Sequence, residues 1–300
     1  MPGETSFVAM VTCAPLRSVV VLAGLIALVG ATAADAQGAR CFGRAATIVG
    51  TSGNDVLVGT AGPDVIQGRA GGDVIRGRGG RDAICGGRGD DILRGGAGTE
   101  VAIVGGRGGD LVSGGRGFDD QLIGGRGNDV ILGGPGGNQG LFDGPGDDIV
   151  LGGRGQDIFE AGPGNDLYDG GPGVDGIFWG DLRGPITANL STGRASGAGR
   201  DLLREIEDMQ GTERGDTLIG GRGDNGLGGD AGNDRIEGRG GDDSVTGDAG
   251  GDRLEGGNGD DFLRGGTGID VVNGGGGNDR CEGENISNCE VPHHPPPPEP

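Results

Sequence analysis

The 300-residue sequence predicts an all-β fold, a parallel β-roll: a β-helix-like solenoid of glycine-rich nonapeptides in two arrays. The first observation behind this is a nine-residue period. From Gly50 the chain reads "GTSGNDVLV", "GTAGPDVIQ", "GRAGGDVIR" and onward for fourteen units to Phe178, and eight more units run from Gly211 to Glu282. A short period held in phase marks stacked repeats rather than low-complexity coil. The second observation is composition. With 78 Gly, 14 Pro and 3% aromatic residues, the chain cannot build a conventional core of its length, and without the period it would read as disordered. The third is alternation in the last three residues of each unit, where position eight is apolar almost throughout: Leu57, Ile66, Ile75, Ile84, Leu93, Ala102 and Val112, then Leu218, Leu227, Ile236, Val245, Leu254, Leu263 and Val272. Side chains alternate faces along a strand, so position eight points inward and its neighbours outward. Two units make one coil, with a thin core between two parallel sheets.

The segments follow in order. Residues 1–36 resemble a secretory signal peptide: Arg17 precedes thirteen uncharged, mostly apolar residues at 18–30, too few to span a membrane, and small residues lead to Ala36. The expectation is an extracellular protein without membrane insertion. Residues 37–49 form a cap, 50–178 the first array, 179–210 a connector, 211–282 the second array, 283–291 a C-terminal cap and 292–300 a proline-rich tail. Within the first array, Val104 reads as one extra residue, and the units at Gly114 and Gly133 are ten long. In the connector, 186–190 reads as a strand and Ser191-Thr192-Gly193 as a turn.

Beyond the signal the chain keeps Cys41, Cys85, Cys281 and Cys289, an even number suited to an oxidising compartment. Three pairings exist. Two of these cysteines lie near one end of the repeats and two near the other, which favours Cys41 with Cys85 and Cys281 with Cys289. A zinc site lacks the CxxC spacing, and the two histidines, His293 and His294, are in the tail.

Position six carries the chemistry. It is Asp in nineteen of twenty-two units, the exceptions being Glu100, Asn138 and Asn225. Units on the same side stack about 4.8 Å apart. One column of the first array then holds Asp55, Asp73, Asp91, Asp110, Asp129, Asp148 and Asp166. The other holds Asp64, Asp82, Glu100, Asp119, Asn138, Asp157 and Asp175, and the second array adds Asp216, Asp234, Asp243, Asp252, Asp261, Asp270 and Asp279. Carboxylates at that spacing repel by about 1 kcal/mol per neighbour even in water. A cation between them relieves the repulsion. Carboxylates and turn carbonyls offer hard oxygen ligands, which suit Ca²⁺ and not zinc or copper, so these nineteen aspartates are the candidate metal ligands.

The units "GGRGNDVIL" and "GGNGDDFLR" resemble the nonapeptide of the RTX, or haemolysin-type, calcium-binding repeat family. The resemblance implies a β-roll with each calcium between stacked turns, held by position-six acids and turn carbonyls. It also implies that the connector residues from Leu202 to Met209 return to the roll as a strand, although their propensity allows a helix. Type I-secreted family members carry a C-terminal export signal, whereas this chain has an N-terminal one and a proline tail. Catalytic domains that precede the roll in family toxins, proteases and lipases have no counterpart in residues 37–49, so their activities are not carried over.

Other functions fit poorly. A net charge of −21, with arginine as every basic residue, repels nucleic acid and anionic membranes despite the GGRG strings, which lack interleaved aromatics. No HExxH or GxSxG string occurs. Asp201, Glu205, Glu207 and Asp208 could be imagined as a glycosidase pair, but the connector is too short to enclose a cleft. The reading is therefore a non-catalytic calcium-binding protein with a structural or interaction role and an extracellular partner. The alternatives are a cell-surface adhesin or spacer and, behind it, a calcium-dependent polysaccharide lyase or epimerase.

Overall fold

The computed structural model describes residues 38–117, 121–137, 140–180 and 182–289. The signal segment, the proline tail, Asp119 and Asn138 lie outside the described residues. Among the described residues there is no helix. The described residues wind into two sheets of fifteen and thirteen strands, with a small antiparallel pair, Arg40–Cys41 against Arg44–Ala45, before the first repeat. Because a unit has nine residues, consecutive strands fall on alternate sheets and each strand pairs with the one two units on. Val65–Ala70 pairs in parallel with Ala83–Arg88, and Val74–Gly80 with Ile92–Gly98.

Position eight faces inward as the alternation requires: Ile66, Ile75, Ile84, Leu93, Val112, Ile236, Val245 and Leu263 are fully buried. Each such side chain contributes about 1.5–3 kcal/mol. One register differs from expectation. Ile103, not Ala102, pairs with Ile84, and Val104 pairs with Cys85. The Val101 N–H bonds the Asp82 carbonyl as the first residue after an acid does elsewhere, so the extra residue forms a bulge before Ile103. In the ten-residue units the inward residues are Leu122 and Leu141.

The connector is built into the same two sheets. Thr187–Asn189 and Arg194–Ser196 form an antiparallel hairpin within the larger sheet, followed by Arg200–Arg204, which pairs in parallel with Leu167–Asp169. Asp208–Gln210 pairs with Gly176–Phe178 in the other sheet, so Leu202 to Met209 is strand and turn rather than helix. Around the start of the connector the core contains its largest side chains, Phe159, Tyr168 and Trp179; the first two meet edge to face at 5.8 Å. Disulfides join Cys41 to Cys85 and Cys281 to Cys289, one at each end of the roll, with Cα separations of 5.6 and 5.9 Å.

Candidate metal centre: two columns of buried acids

Each position-six acid sits at the end of a glycine turn, just before the strand that carries the next inward residue. In most of these turns among the described residues, one carboxylate oxygen is spent on the backbone. On one edge, the Asp55 N–H donates to Asp73 Oδ1 at 2.8 Å, Asp73 to Asp91, Asp91 to Asp110, Asp110 to Asp129, Asp129 to Asp148 and Asp148 to Asp166. On the other edge Asp64 donates to Asp82 and Asp157 to Asp175. Farther along, Asp216 donates to Asp234, Asp234 to Asp252 and Asp252 to Asp270, while Asn225 donates to Asp243, Asp243 to Asp261 and Asp261 to Asp279.

Three acids outside the nonapeptides extend these ladders. Asp201 accepts from the Asp166 N–H at 3.2 Å, Glu207 from Asp175 at 2.8 Å and Glu284 from Asp270 at 3.2 Å. The imagined glycosidase carboxylates Asp201 and Glu207 thus belong to opposite edges. The sequence signal was present: Asp201, Glu207 and Glu284 each stand two residues before an apolar one, as position six does, but only Asp201, with Gly197 and Gly199, has glycines at the repeat's positions two and four. A second ladder runs outside the first. Asn54, Asp90, Asn128, Asn233, Asp242 and Asp260, all at position five, accept the N–H of position five one coil later.

The second carboxylate oxygen divides the turns into two kinds. In the opening coil of each array it is satisfied by its own turn. The Thr51 N–H and hydroxyl donate to Asp55 Oδ2 at 2.6 and 3.0 Å, Thr60 does the same for Asp64, and Thr212 for Asp216 at 2.6 and 3.2 Å. The fourth such turn uses Asn225, whose Oδ1 accepts from the Gly221 N–H. In twelve other turns Oδ2 is buried without a donor: Asp73, Asp82, Asp91, Asp110, Asp129, Asp148, Asp175, Asp234, Asp243, Asp252, Asp261 and Asp270 are at most 2% exposed.

Burial pushes Asp73, Asp82, Asp91, Asp110, Asp129, Asp148, Asp175, Asp234, Asp243, Asp252 and Asp261 up, and nearby carboxylates add to it, while the accepted N–H bonds pull the other way. Asp73, Asp91, Asp110, Asp148 and Asp175 rise to about 6, Asp129, Asp234 and Asp243 to about 7, and Asp166 to about 8. Donorless charged oxygens in a buried row are costly unless a cation sits among them.

The backbone leaves space for one. A Cβ on Gly68 would lie 2.3 Å from Asp73 Oδ2 and 2.5 Å from the Gly86 carbonyl oxygen; on Gly105 the corresponding distances, to Asp110 Oδ2 and the Gly124 carbonyl, are 2.4 and 2.5 Å. Position one must therefore lack a side chain for a carboxylate oxygen and the next coil's carbonyl to converge. Their donor set, oxygen without nitrogen or sulfur, fits a hard divalent ion such as calcium.

One turn departs from this plan. Asp143 stands at position one, where glycine is the rule, and is fully buried. Its Oδ1 accepts the Gly144 and Gly162 N–H groups, each at 2.8 Å, and its Oδ2 accepts the Tyr168 hydroxyl. Burial raises Asp143 to about 7 despite these donors. Oxygens of Asp143, Asp148 and Asp166 lie within 4.8 Å of one another. Sequence reading passed over Asp143 because the candidate ligands were taken from position six alone.

The profile of the RTX calcium-binding nonapeptide repeat matches residues 49–84, 84–101, 104–139, 142–177, 210–227, 227–254 and 255–285. The matched segments cover most of the chain, which belongs to this family of calcium-binding repeat solenoids. No curated protein matches the chain with significance.

Proposed function

We propose that the protein is an exported calcium-binding structural element in which ions between the open turns supply much of the free energy of folding. The observation that carries this is the row of buried, donorless Oδ2 atoms. Inward residues recur only every nine positions, with a glycine turn between them, so ordering entropy weighs heavily here. A ligand that binds only the folded state offsets that entropy through binding free energy. Residues 1–36 direct the chain out of the cell, and the two disulfides suit the compartment it reaches. At Thr51, Thr60, Thr212 and Asn225 local donors already answer the second side-chain oxygen, so the need for an ion is greatest in the open turns. The role is structural or interactive rather than catalytic: the acids available for proton transfer are committed to the backbone ladders.

The test is a calcium titration of the chelated protein followed by far-UV circular dichroism, with native mass spectrometry of the loaded form. We expect cooperative gain of β signal and several bound ions. A chelated protein with full β signal and an unchanged melting temperature would reduce the aspartates to turn formers and overturn the reading.

A further inference from the structure

The position-one line on one edge runs Gly124, Asp143, Ala161, Trp179, as the bonds Gly125 N–H to Asp143 carbonyl, Ala161 N–H to Phe178 carbonyl and Trp179 N–H to Gln210 carbonyl show. Most positions in such lines have no side chain at all. Asp143 puts a carboxylate into the space that glycine leaves open, beside the position-six acids of its own turn, Asp148, and of the next coil, Asp166. Repulsion among three buried carboxylates makes this the least favourable place in the column for an added charge, unless something there uses it.

Two features outside this triad point to a ligand. Asp129, one coil earlier and 1% exposed, has a donorless Oδ2. That atom and the Asp143 carbonyl oxygen lie 2.5 and 2.8 Å from the point where a Cβ on Gly124 would sit, so Asp129 is aimed at the same turn. On the core side, Tyr168 closes the cluster with its hydroxyl on Asp143 Oδ2 and 3.4 Å from Asp166 Oδ2, and Phe159 packs against its ring. The phenol therefore fixes where the carboxylates point and seals them from the apolar interior.

We propose that Asp143, Asp148 and Asp166 form a cation site of a different kind from its neighbours, with three carboxylates around one divalent ion, and that it is the first to fill. Affinity of oxygen sites for calcium rises with ligand charge and rigidity, and this turn exceeds its neighbours in both. The inference rests on the calcium reading above and adds to it an order of loading: the ion bound here templates the coils on either side.

The chain contains one tyrosine and one tryptophan, and the tyrosine is in this cluster. Terbium bound at Asp143 should then be sensitised by Tyr168, reporting this site within a long series of similar ones. We expect tyrosine-excited terbium luminescence in the full chain to rise at the lowest metal additions, ahead of the far-UV dichroism. Calorimetry with calcium should resolve one tight class before the rest. The informative variant is Asp143→Gly, which restores the repeat's own residue and so should fold. It should abolish early luminescence and weaken the tight class at least tenfold while leaving later binding in place, and Asp143→Asn should behave likewise.

Luminescence that lags the dichroism, or a tight class unchanged in Asp143→Gly, would overturn the Asp143 site while leaving calcium binding by the repeats intact. Failure of any metal to bind would overturn both readings.

Discussion

Acid should do for the metal-free roll part of what calcium does. Nine position-six aspartates are raised from an ordinary carboxylate value of 3.8 to about 6–8 in the folded chain. A raised folded value means that the folded state holds more protons than the unfolded state across that interval. Stability is then greatest at low pH and is lost as pH climbs through 6 to 8. Two pH units on one group correspond to about 3 kcal/mol, and solvent screening in narrow turns reduces this to about 1 kcal/mol each. Over nine groups the total is on the order of 10 kcal/mol, comparable to the whole stability of a typical domain. The chelated protein should therefore be largely unfolded near pH 8 and regain β structure toward pH 5, still above its isoelectric point of about 4.3. With calcium present the slope should weaken, because the ion takes the place of the protons. The assay is far-UV dichroism against pH, with and without chelator. Metal-free β signal that is flat over this range, or grows with pH, would refute the reasoning.

Other outcomes follow from single contacts. Thr212→Ala removes the hydroxyl donor to Asp216 and should cost about 1 kcal/mol equally with and without calcium, read by melting in both conditions. Ile131→Ala empties a fully buried core position and should cost about 2–5 kcal/mol in the loaded protein by denaturant unfolding. The bond between Cys41 and Cys85 has a sequence separation of 44 and that between Cys281 and Cys289 one of 8. Loop-closure entropy assigns them about 4 and about 2.5 kcal/mol, so replacing the first pair with serine should lower the melting temperature more.

Much of this architecture could be read from the period. An apolar residue every nine positions, flanked by polar ones, places Ile66, Ile75 and Ile84 in a core between sheets, and an acid two residues earlier places Asp73, Asp91 and Asp110 in a column. The rest was hidden by the same regularity. Open and closed turns share their aspartate and differ in where its second oxygen goes, a matter decided by Thr51, Thr60 and Thr212 at a position that is glycine, arginine or aspartate elsewhere. The extra residue near Val104 can be placed on either side of a strand by counting, and hydrogen bonding places it before Ile103. Glu207 and Glu284 do the work of repeat acids without the repeat's glycine pattern, because a ladder needs an acceptor at the right height and not a particular turn around it.

The inner ladder has a direction. Each acid offers its Oδ1 to the amide of the acid one coil earlier, so every coil is completed by sequence that follows it. A chain made from its N-terminus thus carries, at each moment, one last coil still waiting for its acceptor. The threonine-closed turns that open each array satisfy their own carboxylates and can stand while the next coil is made. At the far end the sequence supplies Glu284 to the Asp270 amide, inside the segment tied by Cys281 and Cys289. Shortening the roll from its beginning leaves each remaining inner amide with its acceptor, whereas shortening it from its end strips the new final coil of one. Trimmed molecules of equal length should for this reason differ in stability according to which end was removed.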